Sequence, residues 1–176
     1  KLVAAAKAGA LVVDSKADLA GLSDADIANA AHEAEARGLK GKYVIPLQNT
    51  TQQPALVSLT NRDVREKLFH NSWIRNEKSD ANDTRDDIAT LAKIRAEKAK
   101  LLGYPNYAAY VLYDQMAGTP DKVETFLGQL IPPTAAKAAE EAKLIQAVID
   151  KDGPHFDLKP WDWEMYSEQV RKEKYD

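Results

Sequence analysis

The sequence contains no cysteine in its 176 residues. This absence excludes disulfide bonds, thiolate nucleophiles and zinc–thiolate centres within the chain. No run approaches the roughly 18 apolar residues that a membrane-spanning helix requires, so we expect a soluble chain. The formal net charge is only −3 and charges of both signs are interspersed. We therefore expect neither a nucleic acid nor a membrane as the main partner.

Helix start and stop signals dominate the chain and predict an all-α fold with a single core. One short strand-like segment is expected near 43–47, where Pro46 favours an edge strand. We expect Pro132-Pro133 to kink or restart a helix. Val64 and Leu68 are expected to turn inward from one helix, with Phe69 and Trp73 as further candidates. A later long helix carries an apolar stripe at three- and four-residue spacing, formed by Ile88, Leu91, Ala92, Ala99 and Leu102. The predicted helix starts are Ser23, Thr60-Asn61, Asn82 or Asp83, and Thr119-Pro120, and Gly38 is a predicted stop.

The two ends of the sequence bear on its organisation. Lys1–Val13 lacks the long apolar region of a signal peptide and predicts a helix with a small-residue face. The chain starts with lysine and ends at Asp176 inside a predicted charged helix, Ser167–Tyr175. We interpret residues 1–176 as one helical region without separate domains, an incomplete piece of a larger protein; trimmed or disordered ends are the alternative. We expect a cytoplasmic location, with the periplasm as the alternative.

The three histidines do not form a metal-binding motif. In His32-Glu33-Ala34-Glu35-Ala36, an alanine replaces the second histidine of the helical His-Glu-x-x-His zinc pattern. His70 lies on a predicted helix, and His155 lies in a loop without a nearby ligand partner. Because zinc sites need at least three protein ligands, we predict no metal ligand and no catalytic residue in this chain. A site assembled in space from these histidines is the alternative.

Aromatic and amide-rich segments are the remaining candidates for binding. Trp161–Tyr166 combines two tryptophans, a tyrosine and a methionine at the entrance of a helix. Packing in the core is favoured over lining a groove for apolar peptide side chains. The polar loop Gln48–Pro54 could hydrogen-bond a peptide backbone, although such loops more often satisfy their own turns. The substrate-binding residues therefore stay unassigned.

A corner between two packed helices is predicted at Leu101–Ala117. Gly103 occupies the position where a glycine ends one helix, and Pro105 lies near the start of the next. Tyr104, Tyr107 and Tyr110 supply buried area and hydroxyl groups that need partners.

Several blocks of the sequence together resemble the zinc oligopeptidases of the thimet oligopeptidase family, especially their bacterial peptidyl-dipeptidase branch. The blocks are LQNTTQQPALVSLTNRDVREKLFHNSWIR, DTRDDIATLAKIRAEKAKLLGY, LLGYPNYAAYVLYDQMA followed by TPDKVETFL, and PWDWEMYSEQVRKEKYD. The last of these blocks carries the pattern Trp-Asp-x-x-x-Tyr-x-x-Gln-Val at Trp161, Asp162, Tyr166, Gln169 and Val170.

This resemblance implies a large, helical, two-lobed zinc metallopeptidase that hydrolyses short peptides in a channel between its lobes. In the family, a His-Glu-x-x-His helix and a further glutamate hold the zinc, and that motif lies downstream of every block matched here. The resemblance therefore implies that this chain is part of one helical lobe, inactive alone and without zinc, while its parent releases C-terminal dipeptides. We also expect exposed apolar helix surface that could self-associate. A non-catalytic helical scaffold or peptide-binding module is the alternative.

Overall fold

The computed structural model describes residues 1–48, 53–152 and 155–175. Two short strands, β1 (Leu11–Val13) and β2 (Tyr43–Ile45), pair antiparallel with Val12 opposite Val44. The predominantly helical class is confirmed. The helices within the described residues are α1 (Leu2–Ala8), α2 (Asp24–Ala36), α3 (Arg62–Trp73), α4 (Arg85–Leu101), α5 (Tyr107–Leu112), α6 (Pro120–Asp152) and α7 (Trp163–Tyr175).

The chain divides into two compact units. Unit 1 comprises residues 1–83 and 143–176, and unit 2 comprises residues 84–142. Helix α6 begins in unit 2 and ends in unit 1. The interpretation of residues 1–176 as a single region without separate domains stays a prediction. No helix within the described ranges is long and apolar enough to cross a membrane.

The hydrophobic core of unit 1 lies between the two-stranded sheet and helices α2 and α3. Its most deeply buried members are Leu19, Leu59 and Leu68, each with no exposed surface. Ala30 and Ala34, four residues apart on one face of α2, are also buried. Small side chains at these positions let the helix pack closely on its neighbours.

Polar side chains cap the helix starts as the sequence predicts. Each cap residue has a short side chain whose oxygen accepts a hydrogen bond from a backbone N–H in the first turn. This satisfies one of the donors that have no partner inside a helix. The pairs are Ser23 Oγ with Asp26 N (3.1 Å), Asn61 Oδ1 with Val64 N (3.3 Å) and Thr119 Oγ1 with Lys122 N (3.4 Å).

The predicted start of α4 at Asn82 or Asp83 is wrong, because Thr84 is the residue before its first turn. The carboxylate of Asp83 is engaged elsewhere, since its Oδ2 accepts a hydrogen bond from Ser79 N at 2.9 Å. Asn82 uses its backbone, with its carbonyl oxygen accepting from Asn76 Nδ2 at 2.9 Å. Both candidate caps therefore stabilise the preceding turn.

The predicted helix over Lys1–Val13 is wrong beyond Ala8. Residues Leu11–Val13 form β1, in which Leu11 and Val13 are buried and Val12 is exposed. This alternation matches a strand with one face on the core. Two consecutive β-branched residues favour the extended conformation once a partner strand is available.

Helix α6 runs through Pro132-Pro133 without a break, so the predicted restart is wrong. A proline ring inside a helix crowds the carbonyl group four residues earlier. For Pro132 that residue is Gly128, where no atom outside the nearby helix backbone lies within 4 Å of the position of a Cβ atom. No neighbouring segment among the described residues therefore crowds the helix at Gly128.

The corner between α4 and α5 forms as predicted. Gly103 has φ +83°, the N–H of Tyr104 donates to the carbonyl of Ala99 at 2.9 Å, and that of Gly103 donates to Lys100 at 3.1 Å. These two bonds and the glycine conformation define a Schellman C-cap. The next helix then starts at Asn106, whose Oδ1 accepts from the N–H of Ala109 at 2.8 Å.

The apolar stripe expected to turn inward on α4 is mostly exposed. Ile88 is 63% exposed and Leu91 is 46% exposed, whereas Ala99, near the corner with α5, is buried. Unit 2 contains only α4, α5 and part of α6. A unit of that size cannot bury the apolar faces of all its helices.

Gly21→Ala is expected to destabilise the chain much more than Gly38→Ala. Both glycines have positive φ, +93° and +75°, where a side chain costs about 1–2 kcal/mol. A Cβ at residue 21 would also lie 1.9 Å from the carbonyl oxygen of Ser58, whereas the space at residue 38 is open. Urea unfolding of both variants followed by circular dichroism measures the difference, and equal losses would contradict the close approach at Gly21.

Candidate functional site

Unit 1 carries a surface cleft of about 480 Å³ between α2 and the segments around β2 and Pro54. Asp26, Asn29 and Glu33 line it from α2, where their three- and four-residue spacing places them on one helix face. Val44 and Ile45 contribute apolar surface from the opposite side. The cleft thus combines an apolar wall with an acidic and amide-bearing wall.

The polar groups around the cleft are largely engaged in holding the fold. Glu33 Oε1 accepts hydrogen bonds from Arg37 Nε at 2.9 Å and Nη2 at 2.6 Å. The buried side chain of Gln53 accepts from Gln48 N at 2.9 Å and donates to Ser72 Oγ at 2.9 Å. The bond to Ser72 connects the cleft wall to α3, and all of these bonds reduce the polar capacity left for a ligand.

Most of the predicted polar loop Gln48–Pro54 lies outside the described residues, which omit 49–52. Its described members, Gln48, Gln53 and Pro54, all line the cleft. The prediction that this loop could hydrogen-bond a peptide therefore stays a prediction.

The histidines do not assemble a metal centre in the described parts of the chain. His32 lines the cleft, His70 Nε2 lies 3.8 Å from Glu66, and His155 Nδ1 lies 3.7 Å from Asp150. No group of three or more histidine or carboxylate side chains among the described residues could hold a metal ion. Because zinc needs at least three protein ligands, these residues do not fit one.

A buried carboxylate, Asp162, joins two arginines of α3. Arg62 donates to it from Nε at 3.0 Å and from Nη2 at 2.8 Å, and Arg65 donates from Nη2 at 2.9 Å. Asp162 has no exposed surface and Arg65 is 1% exposed. Such charge-assisted bonds are short and strong, and the pair with Arg62 is bidentate. The cluster fastens the chain just before α7 to the first turn of α3.

The two arginines exceed the single carboxylate by one charge, and neutral groups around them offset the excess. Arg65 Nη1 also donates to the carbonyl oxygen of Leu59 at 2.7 Å. The guanidinium of Arg62 lies 4.0 Å from the ring centre of Phe156, a cation–π distance. The hydrogen bond to Asp162 raises the pKa of Arg62, so this arginine stays charged.

The predicted aromatic cluster Trp161–Tyr166 packs mainly on α3. The Trp161 ring centre lies 5.3 Å from that of His70 and 6.2 Å from that of Phe69. Its side chains do not line the cleft described above. Trp161, Trp163, Met165 and Tyr166 are half-buried, so packing in the core stays a prediction. Trp73, a candidate core residue on α3, is 55% exposed.

Sequence reasoning missed the ion cluster, although two signals were present. Asp162 stands between two tryptophans, an apolar context in which a carboxylate requires a partner. Arg62 and Arg65 are three residues apart and therefore lie on one face of their helix. Neither signal says which arginine meets which acid.

In unit 2, the three tyrosines predicted at the helix corner contact one another. Ring centres of Tyr104 and Tyr110 are 5.4 Å apart, and those of Tyr107 and Tyr110 are 5.8 Å apart. The guanidinium of Arg95 lies 5.2 Å from the ring centre of Tyr107, and Lys98 Nζ lies 4.9 Å from that of Tyr110. Cations of α4 thus cover half-buried rings of the corner, which indicates a structural role.

Asp162→Asn is expected to destabilise the chain by about 3–5 kcal/mol, the typical effect of removing one partner of a buried ion pair. The asparagine has nearly the same shape, but it leaves the buried guanidinium of Arg65 without an opposing charge. The free energy of unfolding from urea titration measures this loss.

Glu168→Gln is the matched control, because it removes a carboxylate of α7 that bonds Arg171 at 2.8 Å on the surface. Exposed ion pairs contribute little, so its unfolding midpoint should stay near that of the unsubstituted chain. A loss for Asp162→Asn no larger than that of the control would contradict the role assigned to the buried cluster.

The sequence of the chain is similar to the sequences of known bacterial proteins. The chain is 52% identical over all of its residues to a dipeptidyl carboxypeptidase of Escherichia coli strain K12, covering 26% of that protein. It is 49% identical over 99% of its length to a dipeptidyl carboxypeptidase of Salmonella typhimurium, again covering 26%. An oligopeptidase A of Haemophilus influenzae is 29% identical over 93% of the chain, which covers 24% of it.

The chain therefore spans about a quarter of the length of these relatives. Peptidase family M3 matches residues 55–176, which include α3 to α7 and the Asp162 cluster. With this match over more than half of its length, the chain belongs to peptidase family M3.

Proposed function

We propose that this chain is part of a longer zinc metallopeptidase that releases dipeptides from the C-terminal ends of short peptides. The observation that carries the proposal is the 52% identity to a dipeptidyl carboxypeptidase along the entire chain. A cytoplasmic location, with the periplasm as the alternative, belongs to the same proposal.

The chain's own contribution is structural under this proposal. As the family resemblance implies, the zinc would be held by a His-Glu-x-x-His helix and a further glutamate outside this chain. When bound there, zinc would polarise the scissile carbonyl and activate water. Within unit 1, Asp162 bonds Arg62 and Arg65 and so fixes the segment before α7 on α3. That contact would keep α3 and the segment before α7 in a constant position relative to each other in the enzyme.

A non-catalytic helical scaffold or peptide-binding module is the second candidate function. The cleft beside α2 favours it, because a volume of about 480 Å³ is in the range of small-ligand sites. The carboxylate of Asp26 on the cleft wall would suit a peptide with a basic residue. Self-association through exposed apolar helix surface belongs instead to the first proposal, because part of a longer protein leaves such surface uncovered.

The purified chain is expected to release no dipeptide from a C-terminally free peptide, with or without added zinc. A chimera in which this chain replaces the matching segment of the E. coli dipeptidyl carboxypeptidase is expected to release dipeptides. The chimera should be active because, at 52% identity, the chain is expected to preserve the contacts by which this segment packs in the enzyme. Chromatographic detection of the released dipeptide measures both activities.

The E. coli protein with that segment deleted is the control for the chimera, and it should be inactive. Tight zinc binding together with peptide hydrolysis by the isolated chain would contradict the proposal, because His32, His70 or His155 would then form a site. An inactive, folded chimera would contradict it as well. Binding of a basic peptide by the isolated chain, measured by calorimetry, would favour the second candidate.

A further inference from the structure

Helix α6 presents one apolar face along most of its length. This α6 stripe consists of positions spaced three and four residues apart, which share a face of a helix. Leu127, Leu130 and Ile131 are 47%, 44% and 63% exposed, whereas Ile145 and Ile149 are buried at 3% and 2%. The stripe comprises Val123, Leu127, Leu130, Ile131, Ala138, Ala142, Ile145 and Ile149.

In unit 1, the α6 stripe is a packing surface. Ile145 and Ile149 belong to unit 1 and are buried there, so the face is used for contact at that end of the helix. The members in unit 2 follow the same spacing, but Leu127, Leu130, Ile131 and Ala138 are exposed, and Val123 and Ala142 are half-buried. A contiguous apolar face of this kind marks an interaction surface, because monomeric proteins rarely leave one open to water.

The exposed part of the stripe changes in side-chain size along the helix. Large side chains come first, at Leu127, Leu130 and Ile131, and small ones follow at Ala138 and Ala142. Closely packed interfaces place large side chains opposite small ones. A partner should therefore have small side chains opposite Leu127, Leu130 and Ile131, and large side chains opposite Ala138 and Ala142.

We propose that the exposed part of the α6 stripe is covered, in the longer peptidase, by a helix from the polypeptide that this chain does not include. The inference rests on the proposed function. It is supported by length, since about three quarters of each dipeptidyl carboxypeptidase relative lies outside the match. Helix α4 also exposes Ile88 and Ile94 at 63% and 55%. Unit 2 thus exposes apolar residues on two helices, α4 and α6. A large covering segment of the longer polypeptide would explain this exposure better than a single contact with a second copy of the chain.

A cysteine-labelling experiment tests this coverage, because the chain has no native cysteine. Ala138→Cys places a thiol on the α6 stripe with little change in volume. Glu140→Cys is the matched control, because two residues along a helix turn the side chain by about 200°, away from the stripe. Maleimide labelling rates are measured for both variants in the isolated chain and in the E. coli chimera, after subtracting the labelling of the chimera without either substitution.

In the isolated chain, the cysteines at 138 and 140 should react at similar rates. In the chimera, the cysteine at 138 should react roughly tenfold or more slowly than the one at 140, since a covered thiol reacts only through opening of the structure. Equal rates in the chimera would overturn the proposal. A dimeric chimera in which labelling at 138 is slow, but becomes as fast as at 140 when the dimer is diluted to monomer, would also overturn it and assign the face to a second copy.

Dipeptide release by the same chimera keeps this result separate from the proposed function. An active chimera with equal labelling rates at 138 and 140 would contradict only the coverage of the stripe. Slow labelling at 138 in a folded but inactive chimera would support the coverage and contradict only the proposed activity.

Discussion

The organisation of unit 1 depends on the burial of one carboxylate, Asp162, between two guanidinium groups. A charge without exposed surface is tolerated only when opposing charges and hydrogen bonds replace the lost water. Arg62 and Arg65 supply both, and the carbonyl of Leu59 and the ring of Phe156 accommodate the second positive charge. Since these partners lie about a hundred residues apart in sequence, the cluster fixes a long-range contact of defined geometry.

Features decided by neighbouring residues were predictable from the sequence. Ser23, Asn61 and Gly103 act within four positions of themselves, so residue type and spacing were sufficient to place them. The strand Leu11–Val13 was missed because its conformation depends on pairing with Tyr43–Ile45, far along the chain. The Asp162 cluster was missed for the same reason, since nothing local identifies its partners.

Hydrophobic periodicity predicted which helix faces are made for burial, but not what would bury them. On α3, Val64 and Leu68 are buried as predicted. On α4, Ile88 and Leu91 follow an equally regular pattern and remain exposed. The spacing of apolar residues indicates which face of a helix is suited to burial. The structure shows whether the described residues of this chain bury that face. The family could be recognised from sequence blocks. Of the cleft, only the loop Gln48–Pro54 was named as a binding candidate, because the cleft arises from segments distant in sequence.

The two units show how far local signals can specify a structure. Unit 2 has well-formed helix ends at Gly103, Asn106 and Thr119, where caps satisfy the backbone groups. Caps decide where a helix begins and ends, but most helical stability in proteins comes from packing of the apolar face. Unit 1 buries its faces on its own core and can also bury an ion cluster. Unit 2 leaves Leu127 and Ile131 exposed, so its caps define helices whose apolar faces the described residues do not fully bury.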